Sequence, residues 1–272
     1  MLRFIDTHNH VGVAAFSVSE EIIASEAREA GVVCAVITTG GVDDFEAAAR
    51  AARKLRWGYC VGLHPMYLRE QYQSDLERLR DFVLTHSDDP YLVGIGEIGL
   101  DFYVEGLDRS RQEAVLQAEL ELAANVNLPV SLHSRRSLFK VMEILSDYPS
   151  VGGVLHAFAG SLEQAREAAQ RGLYLGVGGA VTYPGSKRVR AVASSMDIRS
   201  LVLETDAPDM APSFAVDKES RPAFLGRYLN EIAQLRAQSP EVLAEAFFDN
   251  ATAAFPKLRA LLGGQKNFVA NP

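Results

Sequence analysis

Five of the six histidines in this chain follow short apolar segments of the kind that form buried strands. The five are His8, His10, His64, His133 and His156. His86 instead falls in a polar helical stretch, where we expect a solvent-exposed side chain. In folds that alternate strands and helices, the carboxyl ends of parallel strands meet at one face, where active sites are built. The sequence therefore predicts that five imidazoles share one face of the molecule.

His8 and His10 form an H-x-H pair, and residues two apart on a strand point to the same side. Both imidazoles could then reach one metal ion, although a hydrogen-bonded pair of core histidines would give the same pattern. His133 and His156 end adjacent predicted strands, so their side chains can converge. Either histidine, considered alone, is more often structural than a ligand.

Two carboxylates also stand at the ends of predicted strands. Glu97 lies in a glycine-rich apolar segment, where a buried carboxylate is costly unless it is paired or binds a metal. Asp206 ends the last predicted strand, which barrel closure would bring beside His8 and His10. A helix N-cap would also explain either carboxylate, and it explains Asp206 better than Glu97.

These side chains suffice for two divalent ions. The predicted ligands are His8, His10 and Asp206 for one ion, His133 and His156 for the other, and Glu97 as the bridge. Mixed imidazole and carboxylate ligands suit Zn, Mn, Fe or Co better than Ca. Two divalent ions outweigh the charge of two carboxylates, so an acidic protein could still present an anion-binding mouth.

Eight apolar segments rich in Val, Ile and Leu alternate with stretches of helical periodicity. The predicted strands are residues 3–6, 32–38, 57–63, 91–97, 128–133, 151–156, 173–178 and 201–204. Most lack strict alternation, as expected of strands buried on both faces. This order predicts an α/β fold of the (β/α)8 TIM-barrel type, with a doubly wound open sheet as the alternative. We expect one barrel domain over residues 1–262 and a C-terminal tail over 263–272.

Helix starts are also visible in the sequence. Ser110 with Glu113, and Ser161 with Gln164, fit the capping-box pattern, and Ser239 is a further predicted N-cap.

Composition narrows the class of protein. The chain has 272 residues, with 27 Lys and Arg against 35 Asp and Glu and a net charge of −8. This balance argues against binding nucleic acid by bulk charge, although a local cationic site stays possible.

No apolar run approaches the roughly 18 residues of a membrane span, and the first residues do not form a secretory signal. Cys34 and Cys60 lie in apolar runs and are expected to be buried thiols. We expect a cytoplasmic protein with no membrane association and no evident obligate protein partner.

Six motifs occur in a recognisable order. They are Asp-Thr-His-Asn-His (6–10), Gly-Leu-His-Pro (62–65), Gly-Glu-Ile-Gly-Leu-Asp-Phe (96–102), Leu-Pro-Val-Ser-Leu-His-Ser-Arg (128–135), His-Ala-Phe-Ala-Gly-Ser (156–161) and Glu-Thr-Asp-Ala-Pro (204–208). In this the chain resembles the TatD family of metal-dependent deoxyribonucleases, within the amidohydrolase-like metal hydrolases. The resemblance extends from residue 4 to about residue 255.

The resemblance implies a TIM barrel and a hydrolase of DNA or another phosphoester that uses two divalent ions such as Zn, Mn or Mg. It carries metal ligation onto the six residues chosen above, and it places His64 and Arg135 near the substrate. The chain departs from the usual pattern at Ser220, where members usually have Asn, and at Asn9, where Cys is frequent. Neither departure is at a predicted ligand, and the first could alter the loop beside the mouth.

For phosphodiester cleavage, we expect Glu97 to bridge the ions and Asp206 to orient a water molecule and accept its proton. His64 could donate to a phosphate oxygen or to the leaving oxygen, and a loop hydrogen bond is its alternative role. Arg135 offers a planar fork for phosphate, or else a rim ion pair with Glu97 or Asp101. Aromatic residues after strand ends could stack on bases, although most could simply pack the loops: Tyr67, Phe102, Tyr103, Phe158 and Tyr183.

Three other functions remain open at this point. The first is an amidohydrolase acting on an amide, a lactone or a phosphotriester. Phosphotriesterase-like proteins bridge their metals with a carboxylated lysine near the end of strand four, but here Glu97 holds that position and no lysine lies between Lys54 and Lys140. The second is a phosphoesterase of the polymerase-and-histidinol-phosphatase type, which also begins with H-x-H. The third is a non-catalytic metal-binding or scaffold protein.

Overall fold

Eight parallel strands form one sheet in chain order, and helices follow them on the outside. The computed structural model describes residues 2–263. The strands are β1 (Phe4–Asn9), β2 (Val32–Ile37), β3 (Gly58–Val61), β4 (Leu92–Asp101), β5 (Val130–Arg135), β6 (Gly153–Leu155), β7 (Leu173–Val177) and β8 (Leu201–Leu203). The α-helices are α1 (Glu20–Glu29), α2 (Phe45–Leu55), α3 (Tyr72–Thr85), α4 (Arg109–Val126), α5 (Leu138–Leu145), α6 (Leu162–Gln170), α7 (Lys187–Ser195), α8 (Leu225–Arg236), α9 (Pro240–Ala254) and α10 (Leu258–Gly263).

The sheet closes between β1 and β8, chiefly at the carboxyl ends of the strands. The N–H of Asp206 donates to the carbonyl of His8 at 2.9 Å, and the N–H of His10 donates to the carbonyl of Ala207 at 2.8 Å. The predicted TIM barrel is therefore confirmed, and the open-sheet alternative is wrong. Closure places Asp206 beside the H-x-H pair, although the two are almost 200 residues apart.

Polar groups below the mouth complete this seam. The hydroxyl of Thr7 donates to the carbonyl of Leu203 at 3.0 Å. The buried carboxylate of Asp6 accepts from the N–H of Thr205 at 2.9 Å and from its hydroxyl at 2.6 Å. Burial raises the pKa of Asp6 to about 7, against these hydrogen bonds.

All eight predicted strands are present, but their bounds differ from the prediction. Strand β4 continues four residues past Glu97, because its second half pairs with β5, with Gly99 opposite His133 and Asp101 opposite Arg135. Glu97 thus lies inside a strand rather than at its end. Asp206 lies three residues beyond the end of β8, in the loop that follows.

The helix starts were predicted with mixed success. Ser161 forms the predicted capping box with Gln164, and Ser239 caps α9 by accepting from the N–H of Val242. The capping box predicted at Ser110 is wrong. Helix α4 begins two residues earlier than a cap at Ser110 would give, at Arg109, because the carboxylate of Asp108 is the N-cap acceptor and accepts the N–H of Arg111.

Several smaller expectations are tested by the fold. Cys34 and Cys60 are buried free thiols, as predicted, and burial raises the pKa of Cys34 to about 12. His86 is not fully solvated: it directly follows the last residue of α3, and its ring stacks on Phe82 at 4.0 Å. Within residues 2–263, we find no helix with the length and apolar character that a membrane crossing requires. The predicted tail lies outside the described residues, except for Gly263, which ends α10.

Candidate metal centre

Glu97 lies in the middle of the barrel mouth, and one of its carboxylate oxygens faces the H-x-H pair. Oε2 is 3.2 Å from Nε2 of His8 and 3.8 Å from Nε2 of His10. Asp206 approaches the same two rings, with Oδ1 3.5 Å from His8 and 3.3 Å from His10. One ligand atom from each of His8, His10 and Asp206 lies within 4.8 Å of the others, the spacing of a candidate metal site.

The other oxygen of Glu97 faces three further imidazoles. Oε1 is 2.9 Å from Nε2 of His156, 3.0 Å from Nδ1 of His133 and 3.2 Å from Nε2 of His64. His133 and His156 are themselves 3.4 Å apart through their ring nitrogens. The structure thus brings together all six predicted ligands with Glu97 between the two groups. It also brings His64 together with Glu97 and His133, with one ligand atom of each within 4.8 Å of the others.

Two of the imidazoles are oriented by acceptors behind them. Nδ1 of His10 is 3.0 Å from the carbonyl of Thr38, and because a carbonyl only accepts, Nδ1 carries the proton. Nε2 of His133 lies 3.2 Å from Oδ2 of the fully buried Asp101 and donates to it. In the neutral ring, each histidine then has a lone pair facing Glu97. Such outer partners fix the tautomer and ring orientation of metal-binding histidines, so the donor set fits divalent metal ions.

Glu204 is a buried carboxylate whose role sequence reasoning missed. Its Oε1 accepts the N–H of Ala157 at 2.5 Å and lies 3.8 Å from Nδ1 of His156. A Cβ at Gly176 would lie 2.0 Å from Oε2, so only glycine leaves room for this carboxylate. Burial raises the pKa of Glu204 to about 8. Asp101 was likewise missed as a partner of His133. Glu204 and Asp101 both lie inside sequence motifs named above, at 204–208 and 96–102, and this position could have marked them as site residues.

At Glu97, His10 and His156, burial and the neighbouring charges shift the pKa in opposite directions. Burial alone would raise the pKa of Glu97, but the charges of His156 and its neighbours hold that pKa well below its usual range. Burial would lower the pKa of His10, yet the hydrogen bond and charge of Asp206 raise it to about 9. The pKa of His156 is raised to about 10, because the charge of Glu97 overcomes burial. The pKa of His8 falls to about 4, through burial and the charge of His156. The carboxylates therefore favour positive charge on His10 and His156, whereas His8 stays neutral.

A cavity of about 960 Å³ opens above the centre, and both predicted substrate residues line it. His64 makes the loop hydrogen bond considered as its alternative role, since Nδ1 accepts the N–H of Met66 at 3.2 Å, while its Nε2 faces Glu97. Arg135 forms no ion pair with a carboxylate in residues 2–263, so the proposed rim pair is wrong. Its guanidinium instead lies 3.7 Å over the ring of Tyr103.

The aromatic residues expected around the mouth separate by exposure. Tyr67, Tyr103 and Tyr183 are exposed, whereas Phe102 is half-buried. Phe158 is only 4% exposed and belongs to the core, so it is not available for base stacking.

Ser220 and Asn9, the two residues that depart from the family pattern, form hydrogen bonds behind the barrel mouth. The buried hydroxyl of Ser220 donates to the carbonyl of Thr205 at 3.0 Å and lies 3.2 Å from the hydroxyl of Tyr228. The side-chain amide of Asn9 donates to the carbonyl of Val36 at 3.1 Å. Both residues therefore satisfy backbone groups next to the centre and do not point into it.

Comparison with known proteins decides the family. The family model for TatD related DNase matches residues 5–256. The chain belongs to the TatD family. The uncharacterized metal-dependent hydrolase YjjV of Escherichia coli is 35% identical to it over 93% of this chain and 98% of that protein. A crystal structure of that TatD homologue aligns with a TM-score of 0.88 and 34% identity, covering 94% of this chain and 98% of the other.

A more distant TatD relative is named for its substrate. The 3'-5' ssDNA/RNA exonuclease TatD of Salmonella typhimurium is 29% identical over 88% of this chain and 94% of that protein. The predicted family is thus confirmed, and the chain is a TatD-family metal-dependent hydrolase.

Proposed function

We propose that this protein cleaves phosphodiester bonds in DNA, or in another phosphoester, through a site that holds two divalent metal ions. The observation that carries the proposal is the position of Glu97, with one carboxylate oxygen facing each group of imidazoles. The name of the Salmonella relative, an exonuclease of single-stranded DNA and RNA, supports a nucleic acid substrate.

In this proposal, the ligands divide between the two ions as the sequence analysis expects. They are His8, His10 and Asp206 for one ion, His133 and His156 for the other, and Glu97 for both. His64 has ligand spacing to Glu97 and His133. Because its Nδ1 accepts the N–H of Met66, its Nε2 carries the proton in the neutral ring and faces the site as a donor, which suits a substrate contact. When bound, Zn, Mn or Mg ions in such a pair lower the pKa of water and stabilise charge on phosphate oxygens.

The chain's own groups complete the reaction. Burial would raise the pKa of Asp206, but the hydrogen bond from His10 and the nearby imidazole charges keep it low. Asp206 orients the attacking water and accepts its proton. His64 donates to a phosphate oxygen or to the leaving oxygen. Arg135 lines the cavity and offers two parallel N–H groups to phosphate.

Replacing Glu97 by Gln tests the proposal, because the amide keeps the shape and removes the bridging charge. We expect kcat/KM for bis-p-nitrophenyl phosphate and for single-stranded DNA to fall at least ~100-fold, and bound metal to fall below the wild-type content. Metal is measured by plasma mass spectrometry after reconstitution with Mn or Zn, and folding by circular dichroism. The matched control is Glu143→Gln, an exposed carboxylate paired with Lys140 on α5. Wild-type turnover in Glu97→Gln would overturn the bridging role.

A substrate panel separates the remaining alternatives. Chelator treatment should abolish hydrolysis of the phosphodiesters, and added Mn or Zn should restore it. Hydrolysis of a lactone or a phosphomonoester but of no phosphodiester would favour an amidohydrolase or a phosphatase instead. A single domain over residues 1–262, a cytoplasmic location and the lack of an obligate protein partner stay predictions.

A further inference from the structure

Three arginines beside the mouth cover the faces of two aromatic rings. The guanidinium carbons of Arg135 and Arg136 lie 3.7 Å and 4.6 Å from the ring centre of Tyr103. That of Arg109 lies 4.6 Å from the ring centre of Phe102. We call these five residues the arginine–aromatic strip. It joins the loop after β4 to the loop after β5, next to the candidate metal centre.

The positive charge of the strip is not neutralised by carboxylates. In residues 2–263, Arg109, Arg135 and Arg136 form no ion pair within 4.0 Å, and all three are exposed. Some other arginines are paired with acids, such as Arg69 with Asp75 and Arg199 with Asp197. In a chain of net charge −8, an unpaired cationic group at the mouth locally favours a polyanion.

A shared carboxylate connects the strip to the centre. Oδ2 of Asp101 accepts from Nε2 of His133 at 3.2 Å. Oδ1 of the same residue accepts the backbone N–H groups of Tyr103 at 2.8 Å and Val104 at 3.0 Å. The backbone of Tyr103 is therefore held in a defined position relative to a candidate ligand.

The backbone of β5 directs two consecutive arginines to one ring. His133 and Arg135 point to the same side of the strand, roughly 7 Å apart along it, and both line the cavity. Arg136 would point to the opposite side if the strand continued. Its φ of +56° is left-handed, a conformation rare for side chains other than glycine, and it brings this second guanidinium onto Tyr103 as well.

We propose that the arginine–aromatic strip binds the single-stranded nucleotide segment that adjoins the scissile phosphodiester. A base stacks on Tyr103 and displaces a guanidinium from the ring, and the arginines bind the neighbouring phosphates. Single-stranded nucleic acid sites combine a cationic track with aromatic platforms in this way. The inference rests on the proposed function, because it takes a polynucleotide as the substrate.

The test measures binding without catalysis. A fluorescent single-stranded DNA of about ten nucleotides is titrated by anisotropy against protein kept metal-free with a chelator. We expect Tyr103→Ala and Arg136→Ala each to raise Kd by about 5- to 100-fold. Tyr103→Phe, which keeps the ring, should bind as the wild type does. Arg136→Ala should also reduce the slope of log Kd against log salt concentration by about 0.7, the loss of one phosphate contact. Arg199→Ala, which removes an exposed arginine paired with Asp197, is the control.

A second measurement separates this inference from the proposed function. With metal restored, the loss of kcat/KM in Tyr103→Ala should be larger for the oligonucleotide than for bis-p-nitrophenyl phosphate, which has no flanking nucleotides. Equal losses on both substrates, or wild-type affinity in Tyr103→Ala and Arg136→Ala, would overturn the strip while phosphodiester cleavage stands. If the wild-type protein cleaves no phosphodiester, the proposed function fails, and the strip fails with it.

Discussion

Asp101 and Glu97 lie four residues apart on β4, and their carboxylates contact opposite ring nitrogens of His133. Glu97 faces Nδ1 of His133, and Asp101 holds its Nε2. The carboxylate of Asp101 is fully buried, although Tyr103, two residues further along the chain, is exposed. Because Asp101 accepts from Nε2, the protein itself orients the ring of His133 and leaves Nδ1 facing Glu97.

Replacing Asp101 by Asn should therefore weaken metal binding without removing a ligand. We expect the Kd for Mn or Zn to rise by about 10- to 100-fold, since the charge that fixes the His133 tautomer is lost. Competition with a chromophoric chelator measures this Kd. Asp197→Asn, which changes an exposed carboxylate after α7, is the control. Metal affinity equal to that of the wild type would contradict the role of Asp101.

The raised pKa values of His10 and His156 predict the pH dependence of metal binding. In the metal-free protein these values are about 9 and 10, so both rings are protonated at neutral pH. Their contribution to stability is full below an ordinary histidine pKa of about 6.5 and is lost as the pH rises through 9 to 10. Metal binds the neutral rings and must displace these protons.

The increase in melting temperature on adding Mn should consequently be larger at about pH 8 than at about pH 6. Differential scanning fluorimetry with and without metal measures it at each pH. The Glu97→Gln variant serves as the reference for metal bound elsewhere. An equal or smaller increase at the higher pH would contradict proton displacement.

At the scale of the elements, helix starts show where local sequence reasoning succeeds. Ser161 and Gln164 satisfy each other's backbone N–H groups at the start of α6, a purely local arrangement. At α4 a similar pattern fails because Asp108 lies closer to the start and its carboxylate takes the N-cap position. Ser110 consequently lies within the first turn of α4.

These two serines form a matched pair for mutation. Ser161→Ala should lower the free energy of unfolding by about 0.5–2 kcal/mol, because it removes an N-cap acceptor. Ser110→Ala should change it by less than about 0.5 kcal/mol, as for an ordinary exposed site. Urea denaturation followed by circular dichroism measures both. Equal effects in the two variants would show that Ser161 does not act as a cap.

For the molecule as a whole, the centre depends on closure of the barrel between its first and last strands. Glu97 from β4 can face both groups of imidazoles only because β1 and the loop after β8 meet across the mouth. The seam below the mouth depends on Asp6, whose buried carboxylate has two partners in Thr205.

Removing the hydroxyl of Thr205 tests how much the seam contributes. Thr205→Val keeps the side-chain volume but leaves one oxygen of Asp6 without this donor, so we expect a loss of about 1–3 kcal/mol in the free energy of unfolding. Chemical denaturation measures the loss, and Thr85→Val at the exposed end of α3 is the control. No loss relative to Thr85→Val would mean that closure does not depend on this contact.

The sequence by itself determined the order of strands and helices, the family and the set of residues available for a metal site. Strand and helix patterns depend on local periodicity, and the motifs are read directly from residue type and spacing. Only the tertiary structure decided that His64 lies within ligand distance of Glu97, that Asp101 and Glu204 stand behind two of the imidazoles, and that two arginines share the ring of Tyr103. These contacts join different strands, and their distances depend on strand register, on the length of β4 and on barrel closure, which no local pattern in the chain encodes.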